Sequence, residues 1–351
     1  MLKSRSTIAT PPGVTIKEQL EDRDMTQKDF AIRMGLSEKH VSELINGKVQ
    51  LTTEMARRLE LVLGMSAQFW CNLESIYREK LAKIVAENEA DAELELAKKY
   101  PYAEMARNNW VPDTKNPTEQ VSNLRKYFEV VKLDLLSNSG LLPGIAYRRM
   151  RMTETTDYAL VAWAQKAQLE ARNVITKQIN LKKLSSSLGE IRGMTEQDPA
   201  VFCPTLTDLM ARCGIALIFL PHIKGSFLHG ATFMDGKKIV MGLTVRGKYA
   251  DKFWFSLFHE IGHVLHGHIY QAEGTSKEDE SKANEFTGNT LIPRIEYNEF
   301  FSRKDFSKNS IVSFSRSLKI AVEILVGRLQ NDGHIPFNRF NELKKQYALK
   351  P

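Results

Sequence analysis

Five residues, His259-Glu260-Ile261-Gly262-His263, have the types and spacing that metal-assisted hydrolysis requires. Two imidazoles four residues apart on a helix lie one turn above the other and can chelate a single Zn²⁺. The intervening glutamate then sits beside them, where it can accept a proton from a water acidified by the ion. A catalytic zinc takes three protein donors and keeps one position open, so a further ligand must come from elsewhere. The acidic, helix-forming run Glu278-Asp279-Glu280-Ser281-Lys282-Ala283-Asn284-Glu285-Phe286 offers candidates, whereas His266 and His268 are read as non-ligands. One zinc ion per chain is expected.

The motif carries weight only in the right structural context. If Asp251 to Gly267 is one helix at about 100° per residue, then Phe253, Trp254, Leu257, Phe258, Ile261, Val264 and Leu265 share an arc of roughly 140°. Ser256, His259, Glu260 and His263 fall on the other side. Upstream, Gly214 to Leu220 reads as a buried strand. Gly230 to Gly242 reads as a hairpin turning at Asp235-Gly236 in type I′ geometry. A small sheet therefore precedes the His/Glu helix, and further helices are expected near 278–291 and 309–330.

The stretch Phe253 to Pro293 resembles the ImmA/IrrE metallopeptidase family. The resemblance rests on Phe253-Trp254-Phe255, the His259 to His263 motif, Glu280-Ser281-Lys282-Ala283-Asn284-Glu285-Phe286 and Leu291-Ile292-Pro293. It implies a gluzincin-like minimal metallopeptidase fold, Glu280 as third metal ligand, Glu260 as general base and Asn284 as a supporting residue. Thr287-Gly288 departs from the family's small apolar residues, a change expected to loosen packing there. Val326-Gly327-Arg328-Leu329-Gln330 is similar to the family's C-terminal segment. Arg328 is read there either as orienting a site carboxylate or substrate carbonyl, or as half of a structural ion pair. His229, Arg246 and Tyr249 are unranked candidates for stabilising an oxyanion.

A second constellation lies near the N-terminus. Thr26 caps an apolar-faced helix through Met34, Gly35-Leu36 supplies a tight turn, and Ser37 caps a second helix through Ile45, which is the helix-turn-helix plan. The second helix is expected to expose Glu38, Lys39, His40, Ser42 and Glu43 and to bury Val41, Leu44 and Ile45. Gln27, Lys39, Asn46 and Lys48 are candidates for phosphate contacts, and Ser37, Glu38, Lys39, His40 and Ser42 for reaching base edges. Residues 12–79 resemble the Xre-type fold of plasmid-maintenance antidote proteins such as HigA and VapI. The motifs carrying this are Pro12-Gly13, Thr26-Gln27, Gly35-Leu36-Ser37, Ile45-Asn46-Gly47-Lys48, Met55-Ala56-Arg57-Arg58-Leu59 and Phe69-Trp70-Cys71-Asn72-Leu73.

The length of 351 residues accommodates several cores, and 42% hydrophobic with 26% charged residues is ordinary for a globular chain. The net charge of +7 is weak support for nucleic-acid binding because of where it lies: residues 1–80 carry 12 Lys/Arg against 11 Asp/Glu, and residues 301–351 carry 10 against 4. Cys71, Cys203 and Cys213 match neither a disulfide framework nor a zinc ribbon. No signal-peptide core or membrane-length apolar run is present, so a cytoplasmic location is expected, on the nucleoid when DNA-bound.

The fold expected is mainly α with a small β-sheet (α+β). Its divisions are a helix-turn-helix bundle of lambda-repressor type at 1–80, a helical linker at 81–117, a helical region at 118–198 and a zinc metallopeptidase domain at 199–351. The function expected is a dimeric transcriptional regulator on a double-stranded DNA operator. It also carries an endopeptidase acting on a repressor, a toxin or antitoxin partner, or itself, in a stress-response, mobile-element or toxin–antitoxin setting. The alternative is a non-proteolytic HigA-like antitoxin and autorepressor whose C-terminal domain binds a partner or ligand.

Overall fold

The computed structural model describes residues 2–4, 7–137, 154–224, 230–244, 249–271 and 275–347. Its compact units are Met1–Glu95 with Asn116–Ser122, and Leu96–Lys115 with Asn123–Pro351. The expected divisions at 80 and 117 fall within helices, Ala67–Ala92 and Pro117–Phe128.

In the first unit, strands β1 (Leu2–Lys3) and β2 (Ile8–Ala9) pair antiparallel ahead of a helical bundle. Helices Pro12–Glu21, Gln27–Met34, Glu38–Ile45 and Thr53–Leu63 enclose Ile16, Leu20, Phe30, Met34, Val41, Leu44, Leu59 and Trp70. Each boundary has a local cause. Thr26 and Ser37 accept from the N–H groups of Asp29 and His40, and Gly35 takes φ 64° to close the first of the two helices. Gly13 is required by contact, since a Cβ there would lie 1.9 Å from the Ile45 carbonyl oxygen.

The long helix Ala67–Ala92 buries Trp70, Glu74, Tyr77 and Ile84, a stripe at alternating four- and three-residue steps apart from one seven-residue gap. Phe69 and Ile76 lie off that stripe and are exposed.

The second unit is built on a three-stranded sheet of order β3 (Ile215–Phe219), β5 (Lys238–Leu243), β4 (Gly230–Asp235). β3 runs parallel to β5 and β4 antiparallel to it. Strand alternation sends two side-chain sets to two cores. Ile215, Leu217, Ile239 and Met241 pack with the helix Ala250–Leu265 and with Leu206 and Met210 of Pro199–Arg212. Ala216, Ile218, Val240 and Phe233 pack with Leu160, Trp163 and Ala167 of the helix Glu154–Ala171. That helix, assigned in sequence to a separate region, therefore covers the back of the sheet that supports the candidate site.

Three local expectations differ from the structure. Asp235 pairs with Lys238, so the hairpin turn is Gly236-Lys237, and only Gly236 has positive φ. That is the requirement of a type II′ turn, whereas type I′ needs two such residues. The helix anticipated over 309–330 is two, Lys308–Ser317 and Val322–Asn331. Lys319 at φ 53° and the return of the Ile320 N–H to the Ser315 carbonyl end the first of them. Arg294–Ser302 forms an additional helix. Among the described residues, no helix is long and apolar enough to cross a membrane.

Candidate metal centre and nucleic-acid interface

The helix Ala250–Leu265 is held by its apolar face. Phe253, Trp254, Leu257, Phe258, Ile261 and Val264 are all buried, each contributing roughly 1.5–3 kcal/mol on transfer from water. Its opposite face is not a solvated surface, because Glu260 and His263 are buried too. They line a cleft of about 890 Å³ together with His259, Thr232, Glu280 and Asn284. The helix Lys277–Leu291 forms the facing wall. Gly262 lets the two helices pack closely, since a Cβ there would lie 3.0 Å from the Phe286 ring and 3.4 Å from the Ala283 Cα.

His259, His263 and Glu280 converge, with one potential ligand atom from each lying within 4.8 Å of the others. The two Nε2 atoms are 2.9 Å apart, and Glu280 oxygens lie 3.3 Å from His259 Nε2 and 3.6 Å from His263 Nε2. Tetrahedral donors about 2.0–2.1 Å from a common ion are roughly 3.3 Å apart, so this spacing suits zinc. The donor chemistry fits as well. His259 Nδ1 lies 3.0 Å from Asn284 Oδ1, an acceptor that calls for a proton on Nδ1 and thereby a bare Nε2 facing the centre.

The electrostatics follow from this crowding. Burial opposes charge on His259, but Glu280, Glu260 and Asn284 outweigh it and hold its pKa above the usual imidazole value. The His259 and His263 rings beside it set Glu280 well below the usual carboxylate range, assisted by the Thr275 hydroxyl. Glu260 moves the other way. Its burial pushes the carboxyl upward, against the pull of His259, of the Thr232 hydroxyl and of His263. Thr232 Oγ1 donates to Glu260 Oε2 at 2.6 Å, and Gly230 makes room for the same carboxylate.

The remaining sequence candidates divide. Arg328 lines the same cleft, where it donates to the Gly288 and Ile292 carbonyls, pairs with Asp332 at 3.4 Å and lies 4.3 Å from the Tyr297 ring centroid. Gly288 is what admits it, because a Cβ there would lie 2.8 Å from the guanidinium. Thr287 is buried and donates to the Ala283 carbonyl, so Thr287-Gly288 tightens this region instead of loosening it. Tyr249 precedes His259 by ten residues, about 15 Å along a helix, and does not line the cleft. His229 and Arg246 lie outside the described residues.

His266 closes the helix through Gly262, while His268 is buried and bonded to His263. His268 lies past the end of the helix Ala250–Leu265. The left-handed Gly267, at φ 76°, is the signal that the chain turns back there.

In the first unit, Val41, Leu44 and Ile45 anchor the helix Glu38–Ile45, and Ser37, Glu38 and Lys39 are exposed, as are Gln27 and Lys48. His40, Ser42 and Glu43, expected on the open face, are only partly exposed. Asn46 is exposed, and its amide donates to the Ser42 carbonyl at 2.7 Å, which closes the helix. Two short helices across a glycine turn, the second presenting its N-terminal end to solvent, define a DNA-binding domain of the helix-turn-helix class.

The comparisons agree. A helix-turn-helix family model matches residues 16–70. Two relatives in Escherichia coli strain K12 are uncharacterised HTH-type transcriptional regulators, YddM and YbaQ, each 38% identical over 66 residues, or 19% of this chain. The matched segment covers 70% of YddM and 58% of YbaQ. Through this domain the chain belongs to the HTH-type transcriptional regulators and is a DNA-binding protein.

Proposed function

We propose that this regulator also carries a zinc-dependent endopeptidase that cleaves a repressor-type protein, a toxin or antitoxin partner, or the chain itself. The observation that carries the reading is the convergence of His259, His263 and Glu280 in one cleft, with the Glu260 carboxylate beside them. His259, His263 and Glu280 would hold one Zn²⁺ per chain. Bound there, the ion would supply Lewis acidity toward a carbonyl and toward water.

The protein's own residues do the rest. Thr232 fixes one oxygen of Glu260, which orients the carboxylate and leaves Oε1 to take a proton and pass it to the leaving amine. Burial of Glu260 brings its basicity closer to neutral pH, which favours such shuttling. Asn284 keeps His259 in its ligand orientation. Joining the peptidase to an operator-binding domain directs cleavage to proteins at a promoter, and a palindromic operator calls for two copies of the chain.

The test is metal analysis with cleavage assays on Xre-type repressors and on the chain itself. The wild type is expected to hold zinc and cleave. Glu260→Gln is expected to hold zinc, bind DNA and lose at least about a hundredfold in rate. A Glu260→Gln variant that cleaves as fast as wild type defeats the mechanism.

A further inference from the structure

The helix Lys277–Leu291 does more than present Glu280. One residue before that ligand, Asp279 Oδ1 lies 3.2 Å from His268 Nε2, and His268 Nδ1 lies 2.9 Å from His263 Nδ1. Both His268 and Asp279 are buried. The other Asp279 oxygen is fixed by the capping box, accepting from the Ser276 N–H at 2.9 Å and the Ser276 hydroxyl at 2.8 Å. The His266 ring stacks on His268 with centroids 5.4 Å apart. His268 is thus held from both sides, on a turn outside the helix that bears the motif.

The chemistry of the chain gives it a direction. A carboxylate only accepts, so His268 Nε2 carries the proton it shares with Asp279, and neutral His268 then has a bare Nδ1. That nitrogen can only accept, which places a proton on His263 Nδ1 and leaves His263 Nε2 bare. His263 Nε2 is the atom that faces His259 and Glu280. On the His259 side, Asn284 imposes the same arrangement from the next turn of the same helix.

The geometry points to His268 and Asp279 as positioning residues: an Asp279–His268–His263 hydrogen-bond relay that sets the tautomer and ring orientation of His263 and thereby tunes the affinity of the site for a divalent cation. This rests on reading His259, His263 and Glu280 as a metal site, but not on that site being hydrolytic. One helix therefore supplies a ligand and also orients both histidines of the other helix, so the site is assembled when the two helices dock.

The test uses the full chain and zinc alone. Affinity is measured by competition with a chromophoric chelator. In the metal-free protein, ¹H–¹⁵N spectra of the histidine side chains, with His263 assigned through His263→Gln, report which nitrogen carries the proton. The wild type is expected to show His263 protonated at Nδ1. His268→Phe should bind zinc about 10–100-fold more weakly and lose that single tautomer. His268→Gln, whose carbonyl can accept from His263 Nδ1, should recover affinity to within a few-fold and restore the spectrum. Asp279→Asn should fall between.

Wild-type affinity and an unchanged spectrum in His268→Phe would overturn the relay, as would a folded His268→Gln no better than His268→Phe. Zinc binding without cleavage of any protein removes the hydrolytic function and leaves the relay standing. Failure of the wild type to take up zinc removes both.

Discussion

Thr232 on β4 donates its hydroxyl proton to Glu260 Oε2 over 2.6 Å, so the sheet directly orients a carboxylate of the helix that carries both histidines. Neither group is exposed, and the donor sits 28 residues earlier in the chain. Thr232→Val keeps the shape and removes the donor. On the proposed hydrolytic reading, zinc content is expected to stay at wild-type level while kcat falls roughly tenfold, because the Glu260 carboxylate is present but no longer held. Paired metal analysis and steady-state kinetics check this.

On the proposed metal assignment, zinc should stabilise only the second unit. At about 100 times Kd a ligand adds roughly 2.7 kcal/mol, which for a unit of this size raises its unfolding midpoint by about 5–10 °C. Scanning calorimetry with and without zinc should show the shift in the second unit's transition. His259→Ala should abolish it, and the helix-turn-helix transition should not move.

Gly13 and Gly189 make opposite predictions. Alanine at 13 places a Cβ 1.9 Å from the Ile45 carbonyl oxygen, a backbone atom that cannot move cheaply, and should cost roughly 3 kcal/mol or more together with DNA binding. At 189, a Cβ meets nothing within 4 Å in a helical segment, so alanine should stabilise by about 0.5 kcal/mol. Denaturant titrations distinguish the two outcomes.

Lys39 and Asn46 should separate phosphate contact from helix closure. Lys39 is exposed near the start of the second helix, so Lys39→Ala should weaken operator binding and reduce the slope of log K against log salt by about 1. Asn46 closes the same helix onto the Ser42 carbonyl, so Asn46→Ala should lower stability by about 1 kcal/mol and leave the salt slope unchanged. Binding isotherms at several salt concentrations and thermal melts report the two effects.

Glu323 is fully buried, with Oε1 lacking a hydrogen-bond partner. Burial, reinforced by the Asp251 charge, raises its pKa against its own backbone N–H and Lys345 and Lys344. A raised carboxyl contributes stability that is complete below the unfolded value, about 4.3, and is lost as pH rises through the folded value. Glu323→Gln should therefore melt a few degrees higher than wild type at pH 7, with the difference vanishing below about pH 4.

Much of this was written in local chemistry. Caps at Thr26 and Ser37, the turn at Gly35 and the apolar arc from Phe253 to Val264 are properties of residues a few positions apart, and residue order alone determined them. It likewise determined that His259, Glu260 and His263 share a helical face. The tertiary structure decided what no periodicity encodes. Leu318 to Ala321 break a helix because Lys319 adopts a left-handed backbone, and the Asn46 amide closes its helix on the Ser42 carbonyl. Arg328 is absorbed by carbonyls that Gly288 exposes to it, and Glu280, Thr232 and His268 reach the two histidines and Glu260 only when separate elements dock. Helical spacing reaches one or two turns, whereas this site draws on the helices Ala250–Leu265 and Lys277–Leu291, on β4 and on the turn at His268. Their meeting is fixed by the packing of the core beneath them.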